Sequence, residues 1–117
     1  MPAYQRLEVT EVGDVTVVRF RSRRITEDID IQELGSEMFG LVENDKREKL
    51  LLNFSTVEFL GSAALGKLIT LDRKVKAQGG VLKLSNLRPK IGEIFTVFKL
   101  NRVFDIKEDE ADALAAF

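Results

Sequence analysis

Between Phe59 and Lys67 the chain reads Phe-Leu-Gly-Ser-Ala-Ala-Leu-Gly-Lys, and two kinds of chemistry fit that spacing. Gly61 through Lys67 has the form G-x-x-x-x-G-K, in which backbone amides and a lysine can surround a nucleotide phosphate. The match stops at Leu68, which stands where a Ser or Thr hydroxyl would ligate magnesium. No later apolar strand ends in the Asp that would complete such a metal site. The second chemistry belongs to the Ser62 hydroxyl, which is placed to cap a helix by accepting from the orphan amides of its first turn. A cap of this kind is worth about 1 kcal/mol, which by itself explains a serine there. The alternative is a regulatory hydroxyl.

Other residue types exclude more than they suggest. The 117 residues contain no Cys, His or Trp, which removes a thiolate nucleophile, an imidazole base, disulfides and Cys/His zinc sites. Asp14, Glu58 and Asp72 are candidates for acid/base work, but their spacing singles out no pair for one cleft, so no catalytic residue is assigned and no cofactor is implied. With 18 basic and 19 acidic side chains the net charge is −1, which argues against a protein that coats nucleic acid. Arg19, Arg21 and Arg23 alternate, with Arg24 adjacent, and read as a charged sheet face that discourages edge pairing. Asp105, Glu108, Asp109, Glu110 and Asp112 oppose only Lys107, and read as helix-start charge and solubility. Phe54, Phe59, Phe95, Phe98 and Phe104 are expected in the core.

The elements that position these residues follow from periodicity. Leu7, Val9, Val15, Val17, Val18 and Phe20 form two alternating stretches around a turn-like Glu11-Val12-Gly13-Asp14, which predicts a β-hairpin. Ile31, Leu34, Met38, Leu41 and Val42 recur at helical spacing, and Asp30 with Glu33 imitates a capping box, so a helix is expected over 30–44. Leu50-Leu51-Leu52-Asn53-Phe54 reads as a central strand covered on both faces. Leu65, Leu68, Ile69 and Val75 mark a second helix ended by Gly79-Gly80. A strand over 81–84, a helix opened by Pro89 and running to Phe98, a strand over 103–106 and a helix over 111–117 complete the order ββ-α-β-α-β-α-β-α. Strands alternating with helices imply an α/β fold over residues 1–117, one domain with a mixed, mostly parallel sheet, an N-terminal hairpin and about four helices. No apolar run reaches the roughly 18–20 residues of a membrane span, and residues 1–6 carry no apolar signal core, so a cytoplasmic protein without membrane insertion is expected.

Val57-x-Phe59-Leu60-Gly61-Ser62-Ala63-Ala64-Leu65-Gly66 resembles the signature of the STAS domain, the family of anti-sigma factor antagonists. That signature runs as an apolar pair, Asp, Ser, Ser, Gly, Leu, Gly and an apolar helix. The resemblance takes in the strand before the motif, the Gly79-Gly80 helix end, and the following strand with Pro89 and Phe95, from about Val15 to Ile106. It implies an STAS-like fold and a protein that antagonises an anti-sigma factor by partner switching. Ser62 then falls on the serine phosphorylated by an anti-sigma factor serine kinase. Leu60, Gly61, Ser62, Ala63, Ala64, Leu65 and Gly66 would form the partner-binding surface. The resemblance further implies a serine phosphatase, with ATP and magnesium held by the kinase and no direct contact with nucleic acid. The sequence departs from the pattern where Gly61 replaces Asp, Ala63 the second Ser and Ala64 the Gly, and 23–26 lacks the G-x-L-D that usually follows the second strand. Two other readings stand beside it: a scaffold subunit of a signalling assembly or membrane transporter in which Ser62 is only a cap, and a nucleotide-binding protein using Gly61 to Lys67.

Overall fold

In the computed structural model, which describes residues 4–117, strands β1 (Leu7–Val12) and β2 (Val15–Phe20) form the expected hairpin. Gly13 makes its turn at a φ of +62°, a conformation that costs glycine little. The chain continues through β3 (Arg24–Ile25), α1 (Asp28–Glu43), β4 (Lys49–Asn53), β5 (Phe59–Leu60) and α2 (Ser62–Ala77). It ends with β6 (Val81–Ser85), α3 (Pro89–Val97), a 3-10 turn (Leu100–Arg102), β7 (Asp105–Lys107) and α4 (Glu110–Ala115). The main sheet has the order β1-β2-β4-β6-β7, antiparallel only between β1 and β2. Crossovers through α1, α2 and α3 account for the parallel strands. A separate two-stranded parallel sheet joins β3 to β5.

Alternation along the strands divides the core in two. Val18, Phe20, Leu50, Leu52, Leu82 and Leu84 meet the buried stripes of α1, α2 and α3 on one face. Val15, Val17 and Leu51 meet Ala113 of α4 on the other, with Leu114 and Phe117 packed beside them. This two-sided burial is why Leu50, Leu51 and Leu52 are all fully buried. A row of rings, Phe20–Phe54, Phe54–Phe95 and Phe95–Phe104, runs through the larger core at centroid spacings of 4.8, 6.1 and 5.8 Å. The α2 terminus closes as expected, with Gly79 at φ +75° and the Gly80 amide donating to the Val75 carbonyl at 2.9 Å.

Several expectations need correction. Helix α1 starts two residues early, at Asp28 after Glu27, and no capping box forms because Asp30 and Glu33 both bind Arg6 instead. The last strand is displaced to 105–107: the 3-10 turn, entered through Lys99 at φ +58°, turns Phe104 into the core and leaves Val103 exposed. Phe59 and Phe98 are not core residues, being 44% and 59% exposed. The arginine row is not a strand face. Strand β2 ends at Phe20 and lies between β1 and β4, so it is no edge. Arg19 instead pairs with Glu110 at 2.8 Å, Arg21 donates to the Leu7 carbonyl, and Arg23 pairs with Glu58. The C-terminal acids do serve as read in part, since Asp109 caps α4 by accepting from the Asp112 amide at 2.8 Å. Among the described residues no helix is long and apolar enough to cross a membrane. The reading of the first six residues falls partly on Met1, Pro2 and Ala3, which lie outside the described residues.

Candidate functional site

Strand β4 delivers the chain to the carboxyl edge of the parallel sheet, where α/β folds place their sites. There the Asn53 side chain accepts from the Ser55 amide at 2.8 Å, and the Phe54 amide donates to the Ser85 carbonyl. A turn closed by the Val57 amide on the Phe54 carbonyl then brings the chain beside β3. The Arg23 carbonyl accepts from the amides of Glu58 and Phe59 at 2.8 and 3.1 Å, and the Ile25 carbonyl accepts from Gly61 at 2.8 Å. Val57 and Ile25 are buried beneath this anchorage. The loop is therefore held on both strands before α2 begins.

Gly61, not Ser62, is the N-cap residue of α2. Its backbone is extended (φ −82°, ψ 159°), and a Cβ built on it would lie 3.5 Å from the Ile25 carbonyl oxygen and the Thr26 Cα, in ordinary contact. Glycine is thus not required by backbone geometry at this position. Helical dihedrals begin at Ser62 itself, which places it one residue past the capping position, and no side-chain cap bond forms. The first turn contains no acidic residue. Ser62, Ala63 and Gly66 are exposed on the outer side of the helix start, Gly61 and Leu60 are partly buried, and Ala64 and Leu65 are buried and fix the helix to the core. The predicted site residues are one contiguous segment, with its inner half serving as anchor.

Lys67 does not complete a phosphate loop. Its stem lies against Gly35 of α1, its Nζ is 3.2 Å from the Gln32 Oε1, and it sits 5.8 Å from the centre of the Phe39 ring. Among the described residues no cluster of three or more carboxylates could hold a metal ion. Asp14, Glu58 and Asp72 each pair with a different cation, Lys49, Arg23 and Lys76 respectively.

Sequence reasoning missed the β3–β5 pair and what it displays. Arg24 lies opposite Phe59 in register, with its guanidinium 4.4 Å from the centre of the exposed ring. Arg88 donates its Nε to the Ser55 carbonyl at 3.0 Å on the other side of the same loop. Strands of two residues leave no periodicity to read, and the adjacency of Arg24 and Phe59 is purely tertiary.

A mostly parallel five-stranded sheet with an N-terminal hairpin and a serine exposed at the start of α2 defines the class. Residues 6–113 match the STAS domain family, and the chain belongs to it. It is 23% identical over 86 residues to a candidate anti-sigma factor antagonist, BtrV of Bordetella bronchiseptica, covering 74% of this chain and 73% of that one. A solved anti-sigma factor antagonist from Mycobacterium paratuberculosis is 25% identical, with a TM-score of 0.83 over 94% of this chain and 91% of that one. The Bacillus cell fate determinant SpoIIAA in its phosphorylated form superposes with a TM-score of 0.71 at 16% identity, covering 94% and 97% of the two chains. At that identity the likeness shows the fold alone.

Proposed function

We propose that this protein is an anti-sigma factor antagonist that binds an anti-sigma factor serine kinase through the segment Leu60 to Gly66, and that phosphorylation of Ser62 ends the binding. The observation that carries the proposal is the state of Ser62: exposed, at the first position of a sixteen-residue helix, with its hydroxyl uncommitted to capping. Membership of the STAS family and the descriptions borne by BtrV and the Mycobacterium relative support the same reading.

The switch works through charge. Phosphorylation adds about −1.5 to −2 charges at the exposed end of α2. The helix N-terminus stabilises an anion there by about 0.3–1 kcal/mol, so the fold need not change. At an interface, one unit charge about 5 Å from an acidic partner group costs on the order of 3 kcal/mol at an effective dielectric near 20, roughly a hundredfold in affinity. ATP and magnesium belong to the kinase, a phosphatase resets the switch, and this chain performs no catalysis.

The test is phosphate transfer from ATP by the cell's anti-sigma factor kinases to the purified chain, with peptide mapping. Incorporation at Ser62 that vanishes in Ser62→Ala is the expected result. A stable complex with no transfer and no sensitivity to Ser62 would replace the switch with a scaffold role, the outcome that Gly61 in place of the family's Asp favours.

A further inference from the structure

The loop that carries Ser62 presents an exposed aromatic ring beside three cations that form no salt bridge among the described residues. Phe59, 44% exposed, lines both of two open grooves, one with Ser22, Arg24 and Glu27 and the other with Arg88, Pro89 and Lys90. Three cations at these grooves, Arg24, Arg88 and Lys90, have no salt-bridge partner among the described residues, whereas Arg23 is paired with Glu58 and Asp30 with Arg6. Two of the three are held in place. Arg24 is stacked on the ring, and Arg88 is fixed by its bond to the Ser55 carbonyl. Their remaining N–H donors form no hydrogen bond among the described residues and keep a fork geometry suited to carboxylates. Ordering them costs little further side-chain entropy on binding, which is the condition under which an arginine or an aromatic ring becomes an interface hot spot.

We propose that Phe59, with Arg24, Arg88 and Lys90 around it, forms a second docking element that selects an acidic face of the partner protein, with Phe59 entering an apolar socket between carboxylates. The proposal rests on the partner-binding role given to the Ser62 segment and names the chemistry of the surface it meets. Phe59 is three residues from Ser62, so the two Cα atoms lie within about 11 Å of each other, and one partner covers both. The observations favour a protein over a nucleic acid: the net charge of the chain is −1, so no excess of cations backs these three against a phosphate backbone, and the half-exposed Phe59 ring offers apolar surface that a protein socket can cover. The arrangement also explains how phosphorylation would act here: a phosphate on Ser62 arrives beside carboxylates that the arginines have drawn close, so attraction and repulsion are set by the same partner groups.

The experiment uses the kinase that phosphorylates Ser62 as the probe, titrated against the full chain in a calorimeter at about 50 and 300 mM salt. Phe59→Ala is expected to weaken binding at least tenfold. Arg24→Glu combined with Arg88→Glu is expected to weaken it more, and to remove most of the salt dependence that the unmodified chain shows. All three side chains are exposed, so circular dichroism should confirm an intact fold. Phe98→Ser, on the separate exposed patch at the end of α3, should bind as the unmodified chain does. Unchanged affinity in the Phe59 and arginine variants, with tight binding by the unmodified chain, overturns this proposal and leaves the switch at Ser62 standing. Failure of the unmodified chain to bind overturns both. Retention of double-stranded DNA through Arg24 and Arg88 at 300 mM salt would overturn the choice of a protein partner.

Discussion

Replacing Gly61 with aspartate adds a carboxylate at the N-cap of α2, and the structure fixes the size of the effect. The backbone there is already extended, and the added Cβ meets the Ile25 carbonyl oxygen and the Thr26 Cα at 3.5 Å and the Thr26 carbonyl oxygen at 3.9 Å, all ordinary contacts, so neither strain nor clash opposes the change. An aspartate cap exceeds a glycine cap by a few tenths of a kcal/mol. The unopposed N-terminus of α2 adds about 0.3–1 kcal/mol for a nearby anion. Loss of glycine's freedom in the unfolded chain adds about 0.4–1 kcal/mol. Proximity of the Ile25 and Thr26 carbonyl oxygens subtracts from this, and a net gain of about 1 kcal/mol follows, or roughly 3–6 °C in Tm for a domain of this size. Scanning calorimetry at pH 7 measures it. Gly61→Ala, which removes the glycine without supplying an acceptor, should give no gain, because alanine is a poor cap. The amides hold the new carboxyl below its unfolded pKa, so the gain is present above about pH 4 and is lost as the pH falls through the lower folded value. A Tm that is unchanged or lower at pH 7, or an equal gain in Gly61→Ala, would refute the reasoning.

Gly80→Ala should destabilise by about 1–3 kcal/mol in urea unfolding, because a Cβ there would sit 2.5 Å from the Glu48 carbonyl oxygen, a backbone atom that cannot swing aside. At Asp105 the Lys83 hydrogen bond, supported by Lys107 and opposed by burial, holds the carboxyl below its ordinary range. Its contribution is therefore full above the unfolded carboxylate pKa of about 3.9 and disappears as pH falls through the lower folded value. Asp105→Asn should cost about 0.5–1.5 kcal/mol at pH 7, since the nearly buried Lys83 ammonium loses a carboxylate that is itself 43% exposed and screened by solvent, and should flatten the fall in stability below pH 4.

The parts of the fold carried by long, repeated patterns were legible in the sequence. The hairpin valines, the Leu50–Leu52 run, the stripes of α1 and α2, Gly79-Gly80 and Pro89 each put elements in their places, because burial on one or two faces imposes a period. The parts decided by single tertiary partners were not. Arg6 takes both Asp30 and Glu33 from their local capping pattern, Glu110 takes Arg19 from solvent, and one left-handed residue, Lys99, shifts the last strand by two positions. At the site, the exposed segment around Ser62 was readable from its motif, while its register was not: the helix starts at Ser62 itself, one residue earlier than a serine cap requires. Phe59 was misassigned to the core for the same reason that β3 and β5 went unseen, since two residues hold no period and nothing local tells an exposed ring from a buried one.

The central claim is that charge on Ser62 governs partner binding, and calorimetric titration of the anti-sigma factor kinase with unmodified chain and with chain stoichiometrically phosphorylated at Ser62 tests it most directly. At least tenfold weaker binding by the phosphorylated form, with Ser62→Ala binding as the unmodified chain does, is the predicted result. Equal affinities for the two forms would contradict the account.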